Sequence, residues 1–261
     1  MATYRFGLTL IMFYLSSSKL TKVGADVKMT LEEGYLEASQ RTWVQVLANG
    51  GTGALLALIS LYHYGMVDPG VDFSRNYYQA YLYVAYLGQF AAVCGDTWAS
   101  ELGVLSKSLP RMVTSCKKVP AGTNGAVSLL GLAGSLFGGL FVGAVFFVVG
   151  EVSIDKSVDV PSQWWLVVLG GIGGLVGSFI DSLLGATVQP SLFDYEKKWI
   201  VDKSAGKKSV RAVPGSGLDI LDNHMVNLLA SLVTCALLPV LHGWLCASLG
   251  ISALHSKAVV L

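Results

Sequence analysis

The sequence predicts an all-α, polytopic integral membrane protein with about six transmembrane helices, in a single membrane domain covering 1–261. Three observations carry that prediction. Of the 261 residues, 53% are hydrophobic and only 13% charged, roughly half the charged share of a soluble domain. The apolar residues fall in blocks of roughly 20, the length of helix that crosses a bilayer. Lysine and arginine alternate between rich and poor loops, the pattern that orients membrane helices. With a net charge of +1 nothing points to nucleic acid, and the lipid bilayer is the expected partner.

The predicted segments are 4–18, 43–65, 79–105, 124–150, 163–188 and 223–249. The first is a short apolar run from Phe6 to Leu15. The second opens with Gln45 and Asn49. The third ends in a polar stretch, Cys94 to Gly103, and the fourth and fifth are rich in glycine. Asp222, Asn223 and Asn227 open the sixth. The long polar stretch 189–222 holds Pro190, Pro214 and Gly215-Ser216-Gly217, turn signals that make it a loop and not a domain.

Basic residues crowd the loops after the first, third and fifth segments. These are Lys19, Lys22, Lys28 and Arg41, then Lys107, Arg111, Lys117 and Lys118, then six more between Lys197 and Arg211. The alternate loops carry only Arg75 and Lys156. The basic loops are therefore expected in the cytosol, with both termini opposite.

The polar residues inside the segments sort to that same side. Asn49, Asp96, Glu101, Asn124, Asp181, Asp222 and Asn223 all lie next to basic loops, while the other helix ends are mostly Gly, Leu, Val and Tyr. A carboxylate at a membrane helix end is expensive unless it faces protein, water or metal, so these mark one expected site. Asp96 and Glu101 lie about 140° apart on an ideal helix; either the helix breaks there or the two acids do different jobs. Gly170, Gly173, Gly174, Gly177 and Asp181 share one face, so close packing would bury Asp181 against another helix.

Carboxylates with amides and hydroxyls at one face suit Mg²⁺ holding a phosphate chain, because Mg²⁺ is held by one or two carboxylates plus substrate phosphate. Asp96, Asp181 and Asp222 are the expected metal ligands, and with Glu101 the expected catalytic acids. Asn49, Asn124 and Asn223, with the cations Arg41, Lys117 and Lys118, are the expected substrate contacts. The run Pro120–Gly125 is expected to lead directly into a helix whose free N–H groups could hold an anion. Cys94, Cys116, Cys235 and Cys246 show no ligand or disulfide spacing.

Five ordered motifs resemble a known family: Gln40 to Gly50, Gly95 to Glu101, Gly122 to Gly125, Asp181 to Thr187, and Leu221 to Asn223. Together they are similar to the transmembrane protein 19 family, whose wider group includes the plant phytyl-phosphate kinase. The resemblance spans about Phe6 to Gly250. It implies an intracellular membrane protein, for instance of the endoplasmic reticulum, with prenyl-monophosphate kinase activity in the plant branch. Family members carry further apolar sequence before the position of Phe6, so an N-terminal hydrophobic segment is expected to be missing here. The expected function is phosphoryl transfer from a cytosolic nucleotide to a prenyl monophosphate. The alternatives are a transporter or channel using the intramembrane acids, or a non-catalytic membrane protein. Depth separates the first two, since transport sites lie near the midplane.

Overall fold

The computed structural model describes residues 3–31, 42–154, 161–201 and 208–248, the side chains of 247 and 248 excepted. Its helices are α1 (Tyr4–Thr21), α2 (Ala25–Lys28), α3 (Trp43–Tyr64), α4 (Tyr77–Gly103), α5 (Leu129–Ser153), α6 (Trp165–Val188) and α7 (Asn223–Ser248). Hydroxyl caps start three of the long ones. Thr3 accepts from Phe6 N, Thr42 from Gln45 N and Ser128 from Gly131 N, each satisfying one N–H that has no partner within its helix.

α4 is the hub, packed against α1, α3, α5, α6 and α7. Every residue from Tyr83 to Gly95 is buried, as expected of a helix enclosed on all sides. Its aromatic side chains form one core with α1 and α5. Phe6 packs on Tyr83 and Tyr86, with ring centroids 4.8 and 4.3 Å apart, and the Tyr86 hydroxyl donates to Phe6 O at 2.6 Å.

Glycine sets the spacing between α4, α5 and α6. A Cβ on Gly95 would stand 2.7 Å from Gly174 Cα, one on Gly134 2.7 Å from Trp98 O, and one on Gly170 2.5 Å from Gly139 O. These backbones touch, as small-residue faces allow in membranes. The predicted stripe on α6 divides its contacts. Gly170 and Gly174 meet α5, while Gly173 and Gly177 meet Ala91, Ala92 and Leu238 of α4 and α7.

Four helices, α3, α5, α6 and α7, are each long and apolar enough to cross a bilayer. α4 is less apolar because, surrounded by helices, it carries Gln79, Gln89 and its acids toward protein. α1 runs the same distance: Arg5 bonds Asp68 at one end of the bundle, and Thr21 bonds Glu101 at the other.

Two small antiparallel sheets were not foreseen. β1 (Arg111–Met112) pairs with β2 (Ala126–Val127), Arg111 opposite Val127. β3 (Leu192–Asp194) lies between β4 (Trp199–Val201) and β5 (Val210–Ala212), with Phe193 opposite both Ile200 and Arg211. Strands of two or three residues leave too short a pattern to read. These sheets gather the three basic loops at one end: Ile200 N donates to Leu31 O at 2.9 Å, and Asn124 N donates to Ser191 Oγ at 2.9 Å.

Candidate functional site

A cavity of about 270 Å³ opens at the basic-loop end of the bundle. α3 contributes Gln45 and Asn49. α4 contributes Asp96, Thr97, Ser100 and Glu101, and the loop before α5 contributes Thr123 and Asn124. Ser178, Asp181 and Ser182 come from α6, and Asn223 and Asn227 from α7. Thus Asn49, Asp96, Glu101, Asn124, Asp181 and Asn223, separated by up to 174 positions, meet in one place.

Helix α4 does not break at its acidic stretch. The Thr97 hydroxyl donates to Val93 O and the Ser100 hydroxyl to Asp96 O, both at 2.7 Å, so neither hydroxyl competes with the helix for its N–H groups. The two acids therefore face different neighbours. Asp96 faces Asp181 across a small recess also lined by Asn227 and Ser231, and Ser178 stands beside it. Glu101 is turned toward α1 and α2. It accepts from Lys28 Nζ at 2.5 Å and from the Thr21 hydroxyl at 2.7 Å.

Asn227 orders the centre. With its amide nitrogen turned inward it donates to Asp181 Oδ2 and to Asn223 O, both at 3.0 Å. Its other amide end lies 3.5 Å from the Asn49 side chain. Asn124 is held at the rim, its Nδ2 donating to Pro190 O at 3.1 Å.

Several expectations are corrected by placement. Asp222 does not line the cavity. It is exposed, and its Oδ1 accepts from Met225 N at 2.8 Å as the cap of α7, so the expected three-carboxylate set reduces to Asp96 and Asp181. Among the described residues no group of three His, Cys, Asp or Glu side chains is placed to hold a metal. Lys117 and Lys118 are exposed on the strand side of the β1–β2 loop and do not reach the cavity. Arg41 lies outside the described residues. Pro120–Gly125 does not start a helix. It turns through Gly122 and Gly125, both at positive φ, and the Asn124 N–H is taken by Ser191 rather than free for an anion. α5 starts only at Leu129, behind the Ser128 cap.

The cavity's chemistry follows. Its polar lining is carboxylate, amide and hydroxyl oxygen, and among the described residues no lysine or arginine lines it. Such a site repels a bare anion and suits a hard cation, which takes oxygen ligands and keeps waters. Asp96 and Asp181 have the donor chemistry for Mg²⁺, with Asn227 and Asn49 beside them.

Residues that the sequence reading passed over lie mostly at the other end. Arg5, wholly buried, donates from Nε to Asp68 Oδ2 at 2.9 Å and from Nη1 to Gln163 Oε1 at 3.3 Å. Ser153 Oγ and Gly70 N also donate to Asp68, each at 3.0 Å. The end read as mostly Gly, Leu, Val and Tyr thus also holds a buried ion pair. The one signal was an arginine at the head of an apolar run. At the cavity end Lys28 was counted only as a loop cation, yet it is 3% exposed and bonds Glu101.

The family model described as an integral membrane protein, DUF92, matches residues 1–235. The chain is 41% identical over 234 residues to Protein PGR of Arabidopsis thaliana, covering 89% of this chain and 80% of that protein. It is 25% identical to an uncharacterized membrane protein of Methanocaldococcus jannaschii, over 88% of this chain and 73% of the other. It is 26% identical to Protein VTE6, chloroplastic, of Arabidopsis thaliana, over 62% of this chain and 44% of that one. No solved structure matches the chain. By the match to most of its length, and as the resemblance to the transmembrane protein 19 group implied, the chain belongs to the DUF92 family of integral membrane proteins.

Proposed function

We propose that this protein is a phosphotransferase working at the membrane face, moving a phosphoryl group from a nucleotide to a prenyl monophosphate. One observation carries the reading: a cavity lined by oxygen donors, with two facing carboxylates and no described lysine or arginine, at the end of the bundle where the polar loops meet. Two phosphorylated substrates can share such a cavity only with divalent cations between them and the acids. The resemblance to the group that includes the plant phytyl-phosphate kinase supplies the substrate class.

In this reading a monophosphate oxygen attacks the terminal phosphorus of the nucleotide. A new P–O bond forms, the bond to the leaving diphosphate breaks, and a prenyl diphosphate results. Little covalent work is required of the protein, so positioning and charge neutralisation dominate. Mg²⁺ held by Asp96 and Asp181 would supply the positive charge. Asn227 fixes the Asp181 carboxylate, and Asn49, Asn124 and Asn223 orient substrate oxygens at the rim. Glu101, tied to Lys28, holds the α1–α2 corner against the cavity wall. The acids lie at one end of the bundle and not at its middle, which favours this reading over transport.

The test incubates purified protein in detergent with labelled nucleotide, Mg²⁺ and a panel of prenyl monophosphates. Labelled prenyl diphosphate is expected from the wild type and none from Asp96→Asn. Failure of the wild type with every lipid and nucleotide would remove the kinase reading. We further place the basic-loop end in the cytosol, of an intracellular membrane such as the endoplasmic reticulum. A cysteine at exposed Ser108 should then react with an impermeant reagent from the cytosolic side; reaction from the other side alone would reverse the orientation.

A further inference from the structure

We infer that the cavity opens sideways into the bilayer through a window between α5 and α6, and that this window takes the hydrocarbon chain of a single-chain lipid monophosphate. The headgroup assignment rests on the function proposed above; the window rests on packing alone.

The frame is read from backbone contacts. Toward the bundle centre α5 and α6 are fused, with Gly174 against Ser135 O and Gly170 against Gly139 O. Toward the loop end the gap is closed again, because Gly125 lies against the backbone and Cβ of Ala186, and Gly185 faces Gly125 N. Between Gly174 and Ala186 run twelve residues of α6, about 18 Å of helix. Over that length the small face of α5 is turned to α4, where a Cβ on Gly131 would stand 3.2 Å from Ala99 O and one on Gly134 2.7 Å from Trp98 O. The two helices therefore part between two points of contact.

The side chains at the gap have two faces. Leu132 of α5 and Phe179 of α6 both line the cavity, yet they are 43% and 54% exposed on the outside of apolar spans, where the surroundings are lipid. Ser178 and Asp181, one residue before and two after Phe179, line the same cavity and are less exposed. Crossing the window from outside therefore leads from hydrocarbon to hydroxyl to carboxylate, the polarity order of a lipid phosphate laid on its side. Size points the same way. At about 270 Å³ the cavity is at or below the small end of ligand pockets, roughly 300–1,000 Å³. It has room for phosphate groups and leaves a long chain to lie outside.

The probe is a farnesyl monophosphate analogue with a diazirine near its tail end, added to protein in phosphatidylcholine vesicles, with the crosslinked residues mapped by mass spectrometry. Labelling that excess farnesyl monophosphate competes away is expected at Leu132, Phe179 and Leu183. Either Leu132→Trp or Phe179→Trp, narrowing the window from opposite sides, should lower it at least tenfold. Val148→Trp, 57% exposed on the far part of α5, should leave it unchanged. Competed labelling spread evenly over the lipid-facing helices, or concentrated at another helix pair, would overturn the window. So would competed labelling that both tryptophan variants leave intact while folded by thermal melt. Phosphoryl transfer measured on the same samples separates the two readings. Competed labelling at the window without transfer keeps the window and removes the kinase; transfer without window labelling does the reverse.

Discussion

The two ends of the bundle handle buried charge in opposite ways. At one end Arg5 and Asp68 neutralise each other, with Gln163 accepting from Nη1, Ser153 and Gly70 N donating to Asp68, and the Phe146 ring 4.9 Å from the guanidinium. A Cβ on Gly150 would strike the guanidinium, so nothing else fits there. At the other end the Asp96 and Asp181 carboxyls face each other at a cavity that no described lysine or arginine lines. The first arrangement pairs its charges and holds helices together. The second presents two facing carboxyls to a cavity that a cation and its waters could enter, which is why we assign it the chemistry.

The largest effect is expected from breaking the closed end. Arg5→Met leaves Asp68 buried without its partner and should cost about 3–5 kcal/mol, the usual result of stranding a buried charge. Arg5→Met with Asp68→Leu should recover a large part of that loss. Thermal unfolding in detergent reads both, and a double variant no better than the single one would mean that the pair is not the unit of stability.

A middle-sized effect is expected at Lys28. Its pair with Glu101 is partly open, with Glu101 18% exposed, so Lys28→Met should cost about 1–2 kcal/mol, between the exposed and the buried cases. The same melts measure it. A loss as large as that of Arg5→Met would show that the cavity end is locked as firmly as the other.

The smallest effect, and one of opposite sign, is expected at Asp96. Asp96→Asn takes away one of two facing carboxyls and should leave the ligand-free protein unchanged or more stable, by up to about 1 kcal/mol. Mg²⁺ is expected to stabilise the wild type and not the variant. Destabilisation of 1–3 kcal/mol would instead mark Asp96 as a structural partner whose loss leaves a buried polar group unpaired.

Much of this was legible along the chain because a bilayer imposes a coarse rule. The second segment, expected at 43–65, is α3 (Trp43–Tyr64), and the fifth, expected at 163–188, is α6 (Trp165–Val188). The fourth was drawn from 124 and begins at Leu129, because Gly122 and Gly125 turn the chain before Ser128 can cap it. Asp222 was read as a ligand because an acid before a helix and an acid in a site look alike; only the Met225 N–H shows which it is.

The sequence by itself determined the membrane class, most of the helix spans, the end on which the candidate-site residues collect, and the glycine face of α6. Each depends on hydrophobicity and period, which are local properties of the chain. Tertiary structure alone decided that Asp96 and Asp181 face each other while Glu101 turns to Lys28, that Arg5 finds Asp68 63 positions away, and that Leu132 and Phe179 line the same cavity. Those outcomes depend on the rotation of each helix about its axis. That rotation is set by which glycines allow two backbones to touch, a property of helix pairs that no single stretch of sequence carries.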